Sequence, residues 1–232
     1  MTGTFTELGL AIALFIAAHS IPSIRPVRSR LVGTLGEGGY LGVYSMVSVS
    51  VTFWIIAAAV AVPYVEVWPM TIEAMWLTNA LMPISIWLLI LGLTTANAMS
   101  IRVRPHQYDP ARPGGVAITR HPILWAIALW GIGHMSVNGG VGAVVLFGIA
   151  TAFCFFGCVV LDVRRRREFG DAEWQRLAGR TSVIPFVAIA TGQRGMPWRD
   201  VFGWRLLAAL ALYVILLSLH EPIIRVNPLP PL

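Results

Sequence analysis

Residues 119–140, TRHPILWAIALWGIGHMSVNGG, are the most informative part of the sequence. An Arg-His-Pro sequence near its start gives way to an almost uninterrupted apolar run that ends at a glycine pair. A run of this length and polarity is typical of a transmembrane helix. One titratable side chain, His134, lies deep inside the run, and an ionisable residue within a membrane span is by default a candidate functional residue.

The composition of the whole chain is that of an integral membrane protein. Of its 232 residues, 56% are hydrophobic and 12% are charged, whereas a soluble domain contains about 25% charged residues. The low charge density argues against a nucleic-acid-binding protein, although the net charge is +6. The first charged residue is Glu7 and the first arginine is Arg25. The N-terminus therefore lacks the basic region of a cleavable signal peptide and is expected to be a retained span.

Six apolar segments predict six transmembrane helices in a single domain that covers residues 1–232. The segments are residues 6–22, 40–62, 80–98, 122–138, 141–161 and 203–220. The fourth and fifth segments are joined only by a short turn with two glycines, so they should form an antiparallel helical hairpin. The predicted fold class is all-α, a polytopic transmembrane helical bundle.

The arginines predict the orientation of the spans. All 17 basic residues are arginines, and every one except Arg225 follows an odd-numbered span or begins span six. By the positive-inside rule these loops are cytoplasmic, which places both termini outside. Segment 163–202 is the sizeable cytoplasmic piece and should contain an amphipathic helix from Glu168 to Leu177. The run from Arg164 to Arg167 either anchors this topology at the lipid headgroups or binds an anionic ligand.

His134 has two alternative interpretations. Gly131 and Gly133 remove side-chain bulk beside its ring, which either lets helices pack closely around a structural histidine or makes room for a flat macrocycle. Asn138 lies one turn later on the same face. Its side chain could hydrogen-bond the ring nitrogen that does not bind a metal, as metal-bound histidines usually require. His19 in the first apolar run has the same two alternatives, a packed side chain or a metal ligand.

His121 is a candidate of another kind. It directly precedes a proline, which suits the first position of a helix. A cytoplasmic helix N-terminus with Arg120 and His121 could hold an anion, or the two residues could simply mark where the helix leaves the membrane surface. His121 lies thirteen residues before His134. At about 100° per residue the two histidines project to nearly opposite faces and cannot bind the same ligand.

Several motifs resemble the NnrU family of bacterial membrane proteins. They are HSIPS at 19–23, GEGGY at 36–40, YSMVS at 44–48, ITRHP at 118–122, the histidine and asparagine at 134 and 138, and Pro-Phe at 185–186. The resemblance covers almost the whole chain. It implies a multi-pass protein of the bacterial inner membrane with a role related to nitric oxide and denitrification, or a non-enzymatic assembly or regulatory partner of denitrification enzymes.

The NnrU family is also similar to the 15-cis-zeta-carotene isomerases of plants and cyanobacteria, which are integral membrane proteins that use haem b. This similarity implies that His19 and His134 are axial haem ligands, with Asn138 as a supporting residue. It also implies isomerisation of a long apolar polyene as the activity. A cysteine implicated in those isomerases corresponds to Gly131 here.

The depths of the two histidines along their helices differ. His19 lies six residues from Arg25 and His134 fourteen from Arg120, a difference of about 12 Å along ideal helices. A shared haem therefore requires that the first span tilts or extends, or that the haem lies rather flat. Pairing His19 with His121 fits the depth better, but the family resemblance does not support it.

The chain also resembles isoprenylcysteine carboxyl methyltransferases and their bacterial relatives. The shared features are RHP at 120–122, Phe-Gly at 169–170, Trp174 and Ile-Pro at 184–185. This resemblance implies an alternative function as an S-adenosylmethionine-dependent methyltransferase, with a cytoplasmic cofactor site at Arg120, His121, Asp162 and Trp174. Paired glutamates precede Phe-Gly in those enzymes, and Leu161 and Asp162 stand at the matching positions here.

Overall fold

The fold is helical throughout the part of the chain that can be described. The computed structural model describes residues 2–101 and 103–231, apart from the side chain of Ser23. The predicted cytoplasmic Arg102 therefore lies outside the described residues. Within these ranges the chain forms nine α-helices, three short 3-10 helices and two isolated β-bridges. The all-α prediction is confirmed.

The six longest helices coincide with the six apolar segments. In chain order the α-helices are α1 Phe5–Ser20, α2 Arg25–Ala61, α3 Ile72–Thr94, α4 Pro122–Val137, α5 Val141–Phe169, α6 Asp171–Ala178, α7 Val187–Ala190, α8 Trp198–Val201 and α9 Gly203–Ile224. The 3-10 helices are Ile21–Ser23, Pro105–Gln107 and Gly114–Ala117.

Four helical segments among the described residues are long and apolar enough to cross a membrane. They are α2, α3, α5 and the stretch Trp198–Ile224, which joins α8 to α9. The apolar helices α1 and α4 have 16 residues each, or about 24 Å of helix against about 30 Å of hydrocarbon core. The chain is thus a membrane protein, while six crossings and two outer termini stay predictions.

Helix α2 is broken at Gly36, where φ is 70° and ψ is 167°. Glycine has no Cβ and adopts such a conformation at little cost. The part before the break carries Arg25, Arg28 and Arg30, which were expected between spans one and two and lie in a helix. The part after the break contains the predicted span at 40–62.

The residue contacts divide the chain into two compact units. Unit 1 comprises Met1–Pro69 and Gly139–Leu146, and unit 2 comprises Met70–Asn138 and Phe147–Leu232. The prediction of a single domain stays a prediction.

In unit 1, α1 packs antiparallel to α2. The indole Nε1 of Trp54 donates a hydrogen bond of 3.3 Å to Oε1 of Glu7, which ties the start of α1 to the end of α2. Leu8 and Ala11 of α1 are buried, as is Ile55 of α2. Small and apolar side chains therefore form the core of this helix pair.

The predicted glycine turn after α4 pairs with the chain that follows α2. Gly139 accepts a hydrogen bond from the main-chain nitrogen of Val67, and Val141 donates one to the oxygen of Val65, each at 2.8 Å. A Cβ atom at Gly139 would collide with the main-chain oxygen of Trp68. Glycine is required here because two backbones meet without room for a side chain.

In unit 2, α4 and the following helix form the predicted antiparallel hairpin. The ring centroids of Trp130 and Phe147 are 5.1 Å apart, and those of Trp125 and Phe155 are 5.2 Å apart. The late residue Trp130 of α4 thus contacts the start of α5, and the early residue Trp125 contacts a later part of α5. The short turn seen in the sequence leads to the expected packing.

Gly131 and Gly133 allow this close packing on two faces of α4. A Cβ atom at Gly131 would collide with Oγ1 of Thr151 and lie 3.1 Å from the main-chain oxygen of Phe147. A Cβ atom at Gly133 would lie 2.9 Å from Cε of Met82. Side chains of α5 and α3 fill the space beside both glycines. Helix packing, and not room for a macrocycle, therefore explains the two glycines.

Within unit 2, Trp87 of α3 holds the chain after α5 against the helices. Its Nε1 donates a hydrogen bond of 3.0 Å to the main-chain oxygen of Val201. Its ring stacks on those of Phe186 and Phe202, with centroid distances of 6.4 and 5.5 Å. Trp87 is 6% exposed, so it attaches the segments that carry α7 and α8 to the helical core.

The predicted amphipathic helix at 168–177 is present as α6, Asp171–Ala178. Trp174 and Leu177 are buried, while Glu173 and Arg176 form an ion pair on the opposite side with an N–O distance of 2.6 Å. The arginine run at 164–167 was expected in the connecting segment. It lies instead in the last turns of α5, which continues to Phe169.

We expect Gly131→Ala to lower the melting temperature, because the added methyl group must displace Thr151 or separate α4 from α5. Overpacking of this kind costs about 1–3 kcal/mol. The matched control is Gly148→Ala on α5, where the nearest atom, Sδ of Met135, would lie at an ordinary 3.6 Å. Thermal unfolding in detergent, followed by circular dichroism, measures both variants. Equal melting temperatures for the two would contradict the packing argument.

Candidate functional site

The four residues predicted for a cytoplasmic site come together in unit 2, around the carboxylate of Asp162. Oδ1 of Asp162 accepts a hydrogen bond of 2.9 Å from Nε2 of His121. Oδ2 accepts bonds from Nη2 and Nε of Arg120 at 2.7 and 3.1 Å. The exposed fractions of the three side chains are 16% for Asp162, 0% for His121 and 13% for Arg120. The start of α4 is thus bound to the end of α5 through a largely buried ion pair.

His121 is fixed at both ring nitrogens. A carboxylate only accepts, so Nε2 of His121 donates to Asp162, and Nδ1 shares a hydrogen bond of 2.9 Å with the hydroxyl of Ser100. Ser100 is held in turn by Asn97, whose Oδ1 accepts bonds of 2.9 and 3.1 Å from the main-chain nitrogens of Met99 and Ser100. The loop after α3 therefore sets the orientation of the imidazole.

Arg120 joins the same cluster to the chain after α6. Its Nη1 donates to the main-chain oxygen of Thr181 at 2.8 Å and to Oγ1 of Thr181 at 3.1 Å. Its Cζ lies 5.6 Å from the ring centroid of Trp174, within the range of a cation–π contact. Its main-chain nitrogen donates to the oxygen of Ser182 at 2.9 Å. The guanidinium is therefore bound on all of its sides by the protein itself.

One of the two alternatives for Arg120 and His121 was the binding of an anion, and the carboxylate of Asp162 lies beside them. The positive end of a helix dipole and an arginine favour a negative charge there, and the carboxylate of Asp162 fills that place. Sequence reasoning placed Arg120, His121, Asp162 and Trp174 at one site, and the structure brings them together. Sequence reasoning missed Ser100 and Asn97, which lie in a loop without a recognisable motif.

A tyrosine closes the loop over α6 next to this cluster. The hydroxyl of Tyr108 donates a hydrogen bond of 3.1 Å to the main-chain oxygen of Leu177. Burial raises the pKa of Tyr108 to about 12. The phenol is therefore protonated at neutral pH and serves as a stable donor.

His134 lies in the last turn of α4, away from this cluster. Its Nδ1 donates a hydrogen bond of 2.9 Å to the main-chain oxygen of Trp130, since a carbonyl only accepts. The lone pair of the neutral ring is then on Nε2, which receives no hydrogen bond from the residues that the structure describes. The rings of Trp130 and Phe147 flank the imidazole at 4.9 and 5.3 Å.

The expected contact between Asn138 and the ring of His134 is wrong. Nδ2 of Asn138 donates a hydrogen bond of 2.7 Å to the main-chain oxygen of His134. Carbonyls in the last turn of a helix have no partner within the helix, and Asn138 satisfies this one. The carbonyl of Trp130 provides the ring contact that the sequence assigned to the asparagine.

His19 in unit 1 has the same arrangement. Its Nδ1 donates to the main-chain oxygen of Phe15 at 2.7 Å, so Nε2 carries the lone pair. Nε2 accepts a hydrogen bond of 2.7 Å from the hydroxyl of Ser48. A ring nitrogen bound to a backbone carbonyl, with the other nitrogen carrying the lone pair, is typical of metal-binding histidines.

The structure distinguishes between the predicted partners of His19. His121 is fully buried and both of its ring nitrogens are hydrogen-bonded within unit 2, to Asp162 and to Ser100, which argues against its pairing with His19. His134 has a lone pair on Nε2. His19 and His134 belong to different units, and their joint binding of one haem stays a prediction.

A profile of the NnrU protein family matches residues 7–228. The chain belongs to the NnrU family. This NnrU protein is also 25% identical over 197 residues to the chloroplastic 15-cis-zeta-carotene isomerase of Arabidopsis thaliana. The alignment covers 81% of the NnrU chain and 51% of the plant protein, so the chain spans about half the length of this relative. No solved structure matches it. The family resemblance seen in the motifs is confirmed.

We expect Asp162→Ala to be strongly destabilising, because it leaves Arg120 and His121 buried without their anion. Breaking a buried ion pair by removing one partner costs about 3–5 kcal/mol. The matched control is Asp171→Ala, which breaks an ion pair with Arg166 that is 77% exposed at Asp171 and 56% at Arg166, and exposed pairs contribute less than about 1 kcal/mol. Melting temperatures of the two variants in the same detergent test this difference. Similar small losses for both would show that the Asp162 cluster is not a structural centre.

Proposed function

We propose that this NnrU protein is an isomerase-like membrane enzyme that changes the cis–trans geometry of a long apolar polyene, with haem b bound by His19 and His134. The observation that carries the proposal is the shared arrangement of the two histidines. Each donates Nδ1–H to the carbonyl four residues earlier and holds its lone pair on Nε2. The similarity to a named carotene isomerase supplies the substrate class.

The donor set of the protein fits a haem better than a bare metal ion. No group of three or more histidine, cysteine, aspartate or glutamate side chains in the described ranges is arranged to hold a metal. A metal bound by only two histidines must bring further ligands of its own, and a haem brings four. When bound, it would supply a redox-active iron held by the imidazole nitrogens of His19 and His134.

The two histidines are held rigidly on their own helices before any ligand arrives. The bond from Nδ1 to a carbonyl four residues earlier fixes the ring orientation and the tautomer. Aromatic rings support each imidazole: Phe15 lies 4.3 Å from His19 and Trp130 lies 4.9 Å from His134. The protein therefore contributes preformed ligands, and an apolar substrate would approach from the bilayer in which its hydrocarbon chain dissolves.

The setting we propose is the bacterial inner membrane, with both termini outside. A redox or nitric-oxide-related role in denitrification would use the same pair of histidines, and so fits the same cofactor proposal. A non-enzymatic role as an assembly or regulatory partner of denitrification enzymes would not require the histidines to bind a metal. The cofactor is therefore the property that separates these roles.

The purified protein, expressed with ample haem, should show a Soret absorption band. We expect His19→Ala and His134→Ala each to lose this band or weaken it at least tenfold, because each removes one axial nitrogen. His106→Ala, in the 3-10 helix Pro105–Gln107, is the control and should retain it. Colourless wild-type protein would refute the haem proposal. Conversion of a cis-polyene in detergent, followed by chromatography, then tests the isomerase activity of the same proteins.

The S-adenosylmethionine alternative has one observation in its favour, the meeting of Arg120, His121, Asp162 and Trp174 at one place. The polar atoms of Arg120, His121 and Asp162 bind one another, however, so a cofactor carboxylate would have to displace that of Asp162. We therefore expect titration calorimetry with S-adenosylhomocysteine to show no binding. Micromolar binding that is lost in Trp174→Ala would make methyl transfer the better proposal.

A further inference from the structure

His19 and His134 differ in one contact, at the nitrogen that would bind a metal. Nε2 of His19 accepts a hydrogen bond of 2.7 Å from Oγ of Ser48. Nε2 of His134 receives none from any residue in the described ranges. A metal bound to His19 needs the lone pair that now points at the serine hydroxyl.

We propose that Ser48 guards Nε2 of His19, so that a metal-centred ligand such as haem iron binds there only after the hydroxyl has turned away. This inference rests on the proposed function for the identity of the ligand. The guarding contact itself concerns only Ser48 and His19 of this chain. Ser48 is in this sense a positioning residue, since it acts through the histidine.

The position of Ser48 makes such a displacement inexpensive. Ser48 lies in the middle of α2, where its main-chain oxygen accepts a hydrogen bond of 2.7 Å from Oγ1 of Thr52. The backbone is therefore held by the helix while the side chain turns about a single bond between staggered positions. A serine within a helix can instead bond the carbonyl four residues earlier, which here is that of Tyr44. Release of His19 thus breaks the bond to Nε2, and the bond to the Tyr44 carbonyl recovers only part of its free energy.

The contact also explains why His19 is stable without a ligand. An unpaired polar atom in an apolar environment is costly, and the serine hydroxyl satisfies Nε2 as the carbonyl of Phe15 satisfies Nδ1. The ring is therefore fully hydrogen-bonded in the free protein and keeps the tautomer required for metal binding. The two histidines should consequently differ in reactivity, His19 being protected and His134 open.

The test compares the reactivity of His19 in haem-free protein with and without the serine. Diethyl pyrocarbonate acylates an imidazole nitrogen through its lone pair, and mass spectrometry of peptides reports each histidine separately. We expect Ser48→Ala to accelerate modification of His19 about 2- to 12-fold, the range that corresponds to the net free energy of one hydrogen bond. The rate for His134 should not change and serves as an internal reference.

Two control variants separate the hydrogen bond from a general effect on the helix. Ser50→Ala removes an exposed serine of the same helix and should leave the rate at His19 unchanged. Ser48→Thr keeps a hydroxyl at the position and should restore protection. Equal rates for wild-type protein and Ser48→Ala would overturn the proposal, as would equal acceleration by Ser50→Ala.

Titration of haem into the same proteins tests the role of the serine in binding. Ser48→Ala should bind haem about 2- to 12-fold more tightly than wild-type protein, since no hydrogen bond is lost on binding. Equal affinities would overturn the guarding role. If neither protein binds haem, the proposed cofactor fails, and the modification rates of His19 still decide whether Ser48 protects Nε2.

Discussion

The buried charge of Asp162 is the constraint on which the start of α4 and the arginine-rich end of α5 depend. A negative charge largely removed from water is tolerated only when it is paired and hydrogen-bonded. Arg120 and His121 meet this demand, and each is in turn fixed by another segment, Arg120 by Thr181 and His121 by Ser100. The ends of two helices and two loops are therefore positioned by one charge. The cluster is a structural centre whose polar groups satisfy each other, which distinguishes it from the histidines in the apolar helices.

His19 and His134 are polar side chains in apolar helices, and each satisfies its Nδ1 within its own helix. In each, the ring bonds a carbonyl of its own helix, four residues earlier. This bond needs no partner from another segment, and it determines which nitrogen keeps the lone pair. The two kinds of histidine thus serve different purposes in one chain. His121 is fully buried and joins two segments through its two ring nitrogens, whereas His19 and His134 are partly exposed and donate from Nδ1 to their own helices.

Sequence patterns predicted the elements well where the physical signal is local. Apolar runs located the six long helices, Pro122 marked the first residue of α4, and the glycine turn predicted the hairpin. The contacts that join distant segments were beyond such patterns. No local signal shows that the anion beside Arg120 comes from Asp162, 42 residues later, or that a carbonyl rather than Asn138 binds the ring of His134. The helix before Gly36 was also missed, because a short arginine-bearing segment has no apolar periodicity.

The ion pair between Arg120 and Asp162 also shows how far α5 extends beyond the start of α4. It marks the level at which α4 begins, yet α5 continues for seven residues beyond Asp162, to Phe169. This overhang corresponds to about 10 Å of helix. All four arginines from Arg164 to Arg167 lie in the overhang. The excess length of α5 therefore places the whole arginine run beyond the level at which α4 begins.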